Sequence, residues 1–471
     1  MVKKYIFLLP FFLSFTVSCK KFVEIPPPSN QVLSSGVFSN QSAATAAQTG
    51  IYTQMETFLE SYNSSLNNGL LADELTNYST ATTLNEYYLN SMTAANITQP
   101  WTDGYNYIYQ ANAVISGLQD YSGISAAVVQ QLKGEALFTR AFWYFYLTEC
   151  YGAIPLPTTG NYSVNATLGR PPQPQVYQQI TADLINAENL LSSNYVDATD
   201  TTVTMDRIRP TKWAAAAMLA RTYLFAGNYD SAEQQATVVI NNTALYQLSG
   251  LDSVFLANSS EAIWQIPPVE PSSNPATPDA EYFILLSAPQ SAGGATTNCT
   301  TISPQLMSAF ESGDNRMSQW INSYFDGAIN WYFPYKYKVY LTPGGTIPEY
   351  TMVLRLGEQY LIRAEAYAQQ GNFGGAVTDL NRIRSRAGLS NYSGSMDKAS
   401  LLTAIWHERQ VELFTEWGAR WFDLQRTNTI NNVMSIVTPQ KGGSWNPSWV
   451  LYPIPLTEIN IDHNLTQNAN Y

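Results

Sequence analysis

Charged side chains are scarce, at 13% of 471 residues, about half the ~25% of an ordinary globular chain. Histidine occurs twice and cysteine three times. Two imidazoles exclude a histidine-rich metal centre, and three thiols are too few for a disulfide scaffold. The 24 basic residues form no cluster and are outnumbered by 36 acidic ones, for a net charge of −12. A phosphate backbone needs a basic face, so nucleic acid is excluded as a general partner. Beyond the N-terminus no apolar run approaches the ~20 residues of a spanning helix. Serial ~10-residue alternating strands, the mark of a membrane barrel, are missing too. A transport role would therefore need a partner that supplies the path. What the chain does have is 45% hydrophobic residues, enough for a large core, with 31 Tyr and 11 Trp among many neutral polar side chains. Such a surface suits uncharged polar ligands.

The first thirty residues predict export. Lys3 and Lys4 precede an apolar run from Tyr5 to Val17, broken by Pro10. About 13 apolar residues are too short to span a bilayer and read as a secretory signal over 1–18. Ser18 stands before Cys19, which resembles a bacterial lipoprotein signal with Cys19 as the lipid-attachment residue. Acyl chains at ~0.8 kcal/mol per buried methylene would anchor the chain stably. Residues 19–30, with Pro26-Pro27-Pro28, would form the tether.

Helical periodicity dominates the body. Trp213, Ala216, Ala217, Ala220 and Leu224 share one helix face, Gly227-Asn228 stops it, and Tyr229, Ala232, Ala236 and Val239 begin another. The pattern returns with Val353, Leu356, Tyr360, Ala364 and Tyr367, then Gly371-Asn372, then Phe373, Ala376, Leu380, Ile383 and Ala387. A glycine that permits a left-handed stop and small alanines that permit close approach resemble a tetratricopeptide hairpin. Further helices are expected at 41–59, 100–119, 128–150, 176–192 and 399–418. The expected organisation is a helical region over 31–243, an irregular region of loops and short strands over 244–350, and a helical region over 351–471. Loops carried on a rigid frame are where binding residues concentrate.

Catalytic motifs are thin. Glu408, Glu412 and Glu416 recur every four residues and would stack on one helix face. Paired carboxylates ~5–9.5 Å apart are what glycosidases use. Arg409 and Arg420 occupy the same segment, and Glu416 with Arg420 makes an i,i+4 pair, so an ion network that pins the last helices is the preferred reading. His407-Glu408 lacks the second histidine of a zinc-protease helix, and no nucleophile elbow, phosphate loop or Cys-x-x-Cys occurs. The chain is therefore expected to be no enzyme and to carry no cofactor. Cys150 and Cys299 have the option of pairing after export, although Cys150 in an aromatic helix reads better as a buried thiol.

A series of short motifs runs the length of the chain in fixed order. It begins with Cys19-Lys20-Lys21-Phe22 and the proline run, then Trp101-x3-Tyr105-x2-Ile108-x3-Asn112 and Gly134-Glu135-Ala136-Leu137-Phe138-x-Arg140-Ala141-Phe142. Tyr151-Gly152-x-Ile154-Pro155-Leu156, Arg209-Pro210-Thr211, Asp314-x-Arg316 and Tyr335-Lys336-Tyr337 follow. Leu354-Arg355-x2-Glu358, Glu408-Arg409-x2-Glu412-Leu413 and Arg420-Trp421-Phe422-Asp423-Leu424-x-Arg426 complete it, with Pro453-Ile454-Pro455 near the end. Together they resemble the SusD/RagB family of outer-membrane glycan-binding lipoproteins of Bacteroidota. The resemblance implies a mainly α fold, an α-α superhelix of about four tetratricopeptide-like hairpins with large loop insertions. It also implies a surface-exposed, lipid-anchored protein of the outer membrane. Such a protein binds oligosaccharide and delivers it to a TonB-dependent transporter of the SusC type. A glycan-hydrolysing lipoprotein and a tetratricopeptide scaffold for protein partners are the alternatives.

A pyranose presents an apolar C–H face and a rim of hydroxyls, which flat aromatic rings and amide or carboxylate groups recognise. Two stretches are rich in these groups, 73–101 and 320–337. The glycan-binding candidates are Asp73, Asn77, Tyr78 and Tyr88 in the first, with Trp320, Tyr324, Trp331 and Tyr332 in the second. Core packing is the competing role for each aromatic, and Trp101 and Tyr335, inside the motifs that carry the resemblance, are assigned to it.

Overall fold

The computed structural model describes residues 37–119, 121, 123–269, 276–340 and 347–471. The expected signal segment, Cys19 and the 19–30 tether lie outside the described residues.

Helices arise where the apolar period meets a capping side chain. Asn40 accepts from the Ala43 amide and starts α1 (Gln41–Thr57), which is followed by α2 (Glu60–Leu71). A short strand β1 (Leu75–Asn77) and α3 (Thr82–Tyr88) lead to α4 (Gln99–Gly117). Ser125 caps α5 (Ala126–Tyr151), whose Phe138, Phe142 and Phe145 are buried together with nearly every other residue from Val128 onward. A helix buried on every side belongs at the centre of a large core, and α5 lies there, its buried Glu135 and Arg140 being paired with Arg209 and Asp183. It packs on α4 and on α7 (Gln173–Leu190), which follows the single turn α6 (Tyr162–Asn165).

Both Gly-Asn turns form as the sequence implies. Gly227 (φ +74°) ends α8 (Lys212–Phe225), and Asn228 caps α9 (Tyr229–Ile240) by accepting from the Ser231 amide. The middle of the chain supplies β2 (Ala262–Ile266), α10 (Pro278–Phe283), β3 (Thr300–Ile302), α11 (Pro304–Ala309) and α12 (Asn315–Trp320). After these come β4 (Ile321–Phe325), β5 (Asn330–Pro334) and β6 (Thr351–Arg355). The second hairpin then repeats the first: Gly371 (φ +84°) ends α13 (Leu356–Gln370), and Asn372 caps α14 (Phe373–Arg386). The chain finishes with α15 (Lys398–Leu413), α16 (Ala419–Arg426), α17 (Ile430–Gln440) and α18 (Leu456–Ile461). Neighbours stack in succession, α7 on α8, α8 on α9, α9 on α13, and α13 on α14 and α15. The fold is a mainly helical tetratricopeptide-like scaffold. Among the described residues the strands make three two-stranded antiparallel pairs, β1–β3, β2–β6 and β4–β5.

Two expectations need correcting near the C-terminus. The helix expected over 399–418 stops at Leu413, because Thr415, Trp417 and Gly418 adopt positive φ and turn the chain. Glu416 therefore leaves the face of Glu408 and Glu412. Nor does it pair with Arg420, whose guanidinium makes two 2.7 Å hydrogen bonds to Asp73, and Arg409 meets Asp423 at 2.7 Å. The ion network is real but built from other cations. Arg355 binds Glu412 at 2.6 Å, Glu416 at 2.7 Å and Glu261 at 3.0 Å. Arg316 binds Glu408 at 2.7 Å and Glu412 at 3.0 Å, Arg386 also reaches Glu412, and Lys336 reaches Glu416. Burial pushes the Glu412 carboxyl up, but three guanidinium groups outweigh that and hold it far below the usual range. All three glutamates are thus engaged by cations that tie α12, β6, α14 and α15 together.

Candidate functional site

The two aromatic stretches meet in space. β1 pairs with β3, with Leu75 opposite Ile302 and Asn77 opposite Thr300, and β3 lies against β5 of the β4–β5 hairpin. That places Tyr78 against Trp331, edge to face, with ring centroids 5.2 Å apart. Tyr324 stands directly across the hairpin from Trp331, so the two share one face. Tyr332 pairs with Ser323 and is displayed on the other face, exposed.

Local chemistry fixes these positions. Asp326 terminates β4, and its Oδ1 accepts from the amides of Ala328 and Ile329 at 2.8 Å each. Its Oδ2 accepts from the Trp331 indole N–H, also at 2.8 Å. One carboxylate therefore shapes the turn and orients the tryptophan. The Ile329 amide, the Trp331 indole and the Ala328 amide hold it below the ordinary carboxylate range although it is fully exposed. Beyond β1, the Tyr78 amide donates to the Cys299 carbonyl at 2.9 Å. The Asn77 side chain donates to Asn85 Oδ1 at 2.9 Å and accepts from the Ser79 amide at 3.0 Å. Tyr88 closes α3 half-buried, with burial raising its phenol and a hydrogen bond from Thr76 opposing that. The Lys441 ammonium sits 5.4 Å from the Tyr88 ring centroid. That ammonium donates to the carbonyls of Leu70, Leu71 and Ala72, and burial lowers it to about 7.

The predicted residues thus divide. Tyr78, Tyr88, Tyr324 and Trp331 come together as half-buried rings with accessible area, Asn77 lies beside them, and Tyr332 is displayed nearby. Trp320 does not belong to this group and is reassigned to the core. It is fully buried, its indole N–H donates to the Leu251 carbonyl at 2.8 Å, and the Lys336 ammonium lies 4.9 Å from its ring. It roofs the ion network rather than facing solvent. Asp73 is likewise corrected, since it is buried and spent on Arg420. Burial pushes its carboxyl up, but Arg420 outweighs that and holds it low. Trp101 is buried, as expected, and Tyr335 is half-buried. Cys150 and Cys299 are both free, buried thiols. Asp326 was not among the predicted residues. The signal was present: Asp-Gly between Tyr324-Phe325 and Asn330-Trp331-Tyr332 marks a hairpin turn.

Comparison with known proteins adds a family context to this geometry. A family model described as "Starch-binding associating with outer membrane" matches residues 21–224, and the model of the SusD family matches residues 305–471. A SusD-like protein P25 of Formosa agariphila is 24% identical, over 84% of this chain and 83% of its own length. The starch-binding protein SusD of Bacteroides thetaiotaomicron is 33% identical over a shorter stretch, 25% of this chain and 21% of its own. Among solved structures, a SusD superfamily protein from Bacteroides vulgatus superposes with a TM-score of 0.78 at 20% identity, covering 92% of this chain and all of that one. A laminarin-binding SusD-like protein superposes with a TM-score of 0.73 at 23% identity, with the same coverage of both chains.

Proposed function

Since the chain belongs to the SusD/RagB family, the starch- and glycan-binding proteins associated with the outer membrane, we propose that it captures a neutral oligosaccharide on the ring surface formed by Tyr78, Tyr88, Tyr324 and Trp331. The observation that carries this reading is the meeting of Tyr78 and Trp331 from distant parts of the chain, held by backbone pairing and by Asp326. Rings fixed in advance lose little freedom on binding, which is what a weak polar ligand requires. The apolar faces take up the C–H face of a pyranose, while neighbouring amides and phenols address its hydroxyls. Relatives named for starch and for laminarin support a glucan as ligand class.

Delivery follows from the same reading. As the SusD/RagB family membership suggests, the bound glycan passes to a SusC-like TonB-dependent transporter, with Cys19 as the lipid anchor that keeps the protein on the membrane. Calorimetric titration of the chain from residue 20 onward with amylose, laminarin, fructan and xylan tests capture. Heat of binding to at least one, with no new reducing ends, is the expected result. Release of reducing ends by the purified protein would favour hydrolysis instead.

A further inference from the structure

A cleft beside α4 shares no residue with this ring surface. Its volume is about 380 Å³, within the ~300–1,000 Å³ typical of small-ligand sites. One wall is the exposed side of α4, where Trp101 and Tyr105 lead to Tyr109, 57% exposed. The facing wall is the 155–168 segment carrying Tyr162, 77% exposed, and the third is α18 with Glu458 and Ile461.

The walls are held rigidly from behind. The phenols of Tyr105 and Tyr144 donate to the carbonyls of Pro155 at 2.9 Å and Pro157 at 2.7 Å, and Asn112 donates to the latter at 2.6 Å. Arg170 clamps the C-terminal tail by donating to the Ala153 carbonyl at 2.6 Å, to Asn468 Oδ1 at 2.6 Å and to the Thr466 carbonyl. Two large rings are nevertheless left standing in solvent over this braced floor. Asn165 donates to the Thr159 carbonyl at 2.7 Å, but its Oδ1 is buried and finds no donor among the described residues. Among the described residues no lysine or arginine lines the cleft, so it offers no cationic side chain to an anion. Asp462 spends its Oδ1 on the Asn464 amide and side chain, at 2.9 Å each. That leaves aromatic faces, the other Asp462 oxygen and the Glu458 carboxylate, a set of acceptors beside apolar planes.

We propose that this cleft is a second saccharide site, taking a short neutral stretch of sugar between Tyr109 and Tyr162 with hydroxyls donating to the Glu458 carboxylate. A long glycan would then engage one chain at two separate places, and the second engagement would be intramolecular and favoured by effective concentration.

Saturation-transfer NMR with maltohexaose and laminarihexaose tests this on the chain from residue 20 onward. Four proteins are compared: wild type, Tyr78→Ala/Trp331→Ala, Tyr109→Ala/Tyr162→Ala, and the combination of all four substitutions. The two cleft tyrosines are exposed enough that their removal should leave the melting temperature unchanged. The expected result is that at least one hexasaccharide still gives a signal with Tyr78→Ala/Trp331→Ala, and that the combined variant loses it. No signal from either sugar in Tyr78→Ala/Trp331→Ala, or a signal that survives in the combined variant, would overturn the second site. A signal unaffected by Tyr78→Ala/Trp331→Ala and lost in Tyr109→Ala/Tyr162→Ala would instead leave the cleft standing and remove the hairpin surface as the capture site. Competition by arginine methyl ester in place of sugar would overturn the ligand class.

Discussion

Two tryptophans eleven positions apart in one aromatic stretch have opposite fates, and neither composition nor flanking polarity tells them apart. Trp320 ends α12 and Trp331 lies in β5, so one chain direction carries the first inward beneath Phe255 and Phe414 while the hairpin lifts the second outward. Trp320→Ala removes a fully buried ring and one of the three aromatic neighbours of the Lys336 ammonium. The expected loss is ~3–5 kcal/mol of unfolding free energy, measured by chemical denaturation. A loss below ~1 kcal/mol would show the ring is not core. The role of Asp73 is hidden from the sequence for a similar reason. Its partner Arg420 is far away in sequence, and only the tertiary fold reveals that the carboxylate is already satisfied.

At the scale of elements, the helical hairpins were legible and the strand pairings were not. Gly227-Asn228 and Gly371-Asn372 encode both a left-handed stop and the next cap in two adjacent residues, so their turns could be read directly. The β1–β3 pair joins three residues to three across a long separation, and such short strands leave no periodicity to read. The end of α15 is not legible because the regular spacing of Glu408, Glu412 and Glu416 looks helical, while the positive φ of Thr415 and Trp417 is imposed by tertiary contacts. Trp417, for instance, donates its amide to Ser65 at 3.0 Å and its indole N–H to the Met352 carbonyl at 2.9 Å. The hairpin offers its own test. Asp326→Ala removes three acceptor contacts at the β4–β5 turn and releases the Trp331 indole. Glycan affinity should fall about tenfold, or ~1.4 kcal/mol, while the melting temperature stays nearly constant. Unchanged affinity would mean the turn does not set the ring.

Over the whole molecule, buried carboxyls of two kinds give stability an optimum in pH. Glu412, Glu416, Asp73 and Asp423 are pushed up by burial, yet their guanidinium or ammonium partners outweigh it and hold them below ordinary values. Their contribution is present above the unfolded carboxyl range and is lost as pH falls through their folded values. Glu74 is raised to about 8 by burial and then by Asp73, and Glu149 and Asp279 are raised to about 7, chiefly by burial. The folded state holds these protons more tightly, so their contribution is full below the unfolded range and disappears as pH rises through about 7 to 8. Lys441, lowered to about 7, acts in the opposite sense above that pH. Unfolding free energy should therefore peak near pH ~4–5, where the unfolded carboxyls titrate, and decline toward neutrality, and Glu74→Gln should flatten the decline. An identical slope in Glu74→Gln would refute the assignment.

The claim on which the functional reading turns is that the surface around Tyr78 and Trp331 holds the sugar. Calorimetric titration of wild type and Tyr78→Ala/Trp331→Ala with the polysaccharide that binds best, alongside melting curves for both, addresses it most directly. The account predicts at least a tenfold loss of affinity, ~1.4 kcal/mol or more, with a nearly unchanged melting temperature. Wild-type affinity in the double variant would contradict it.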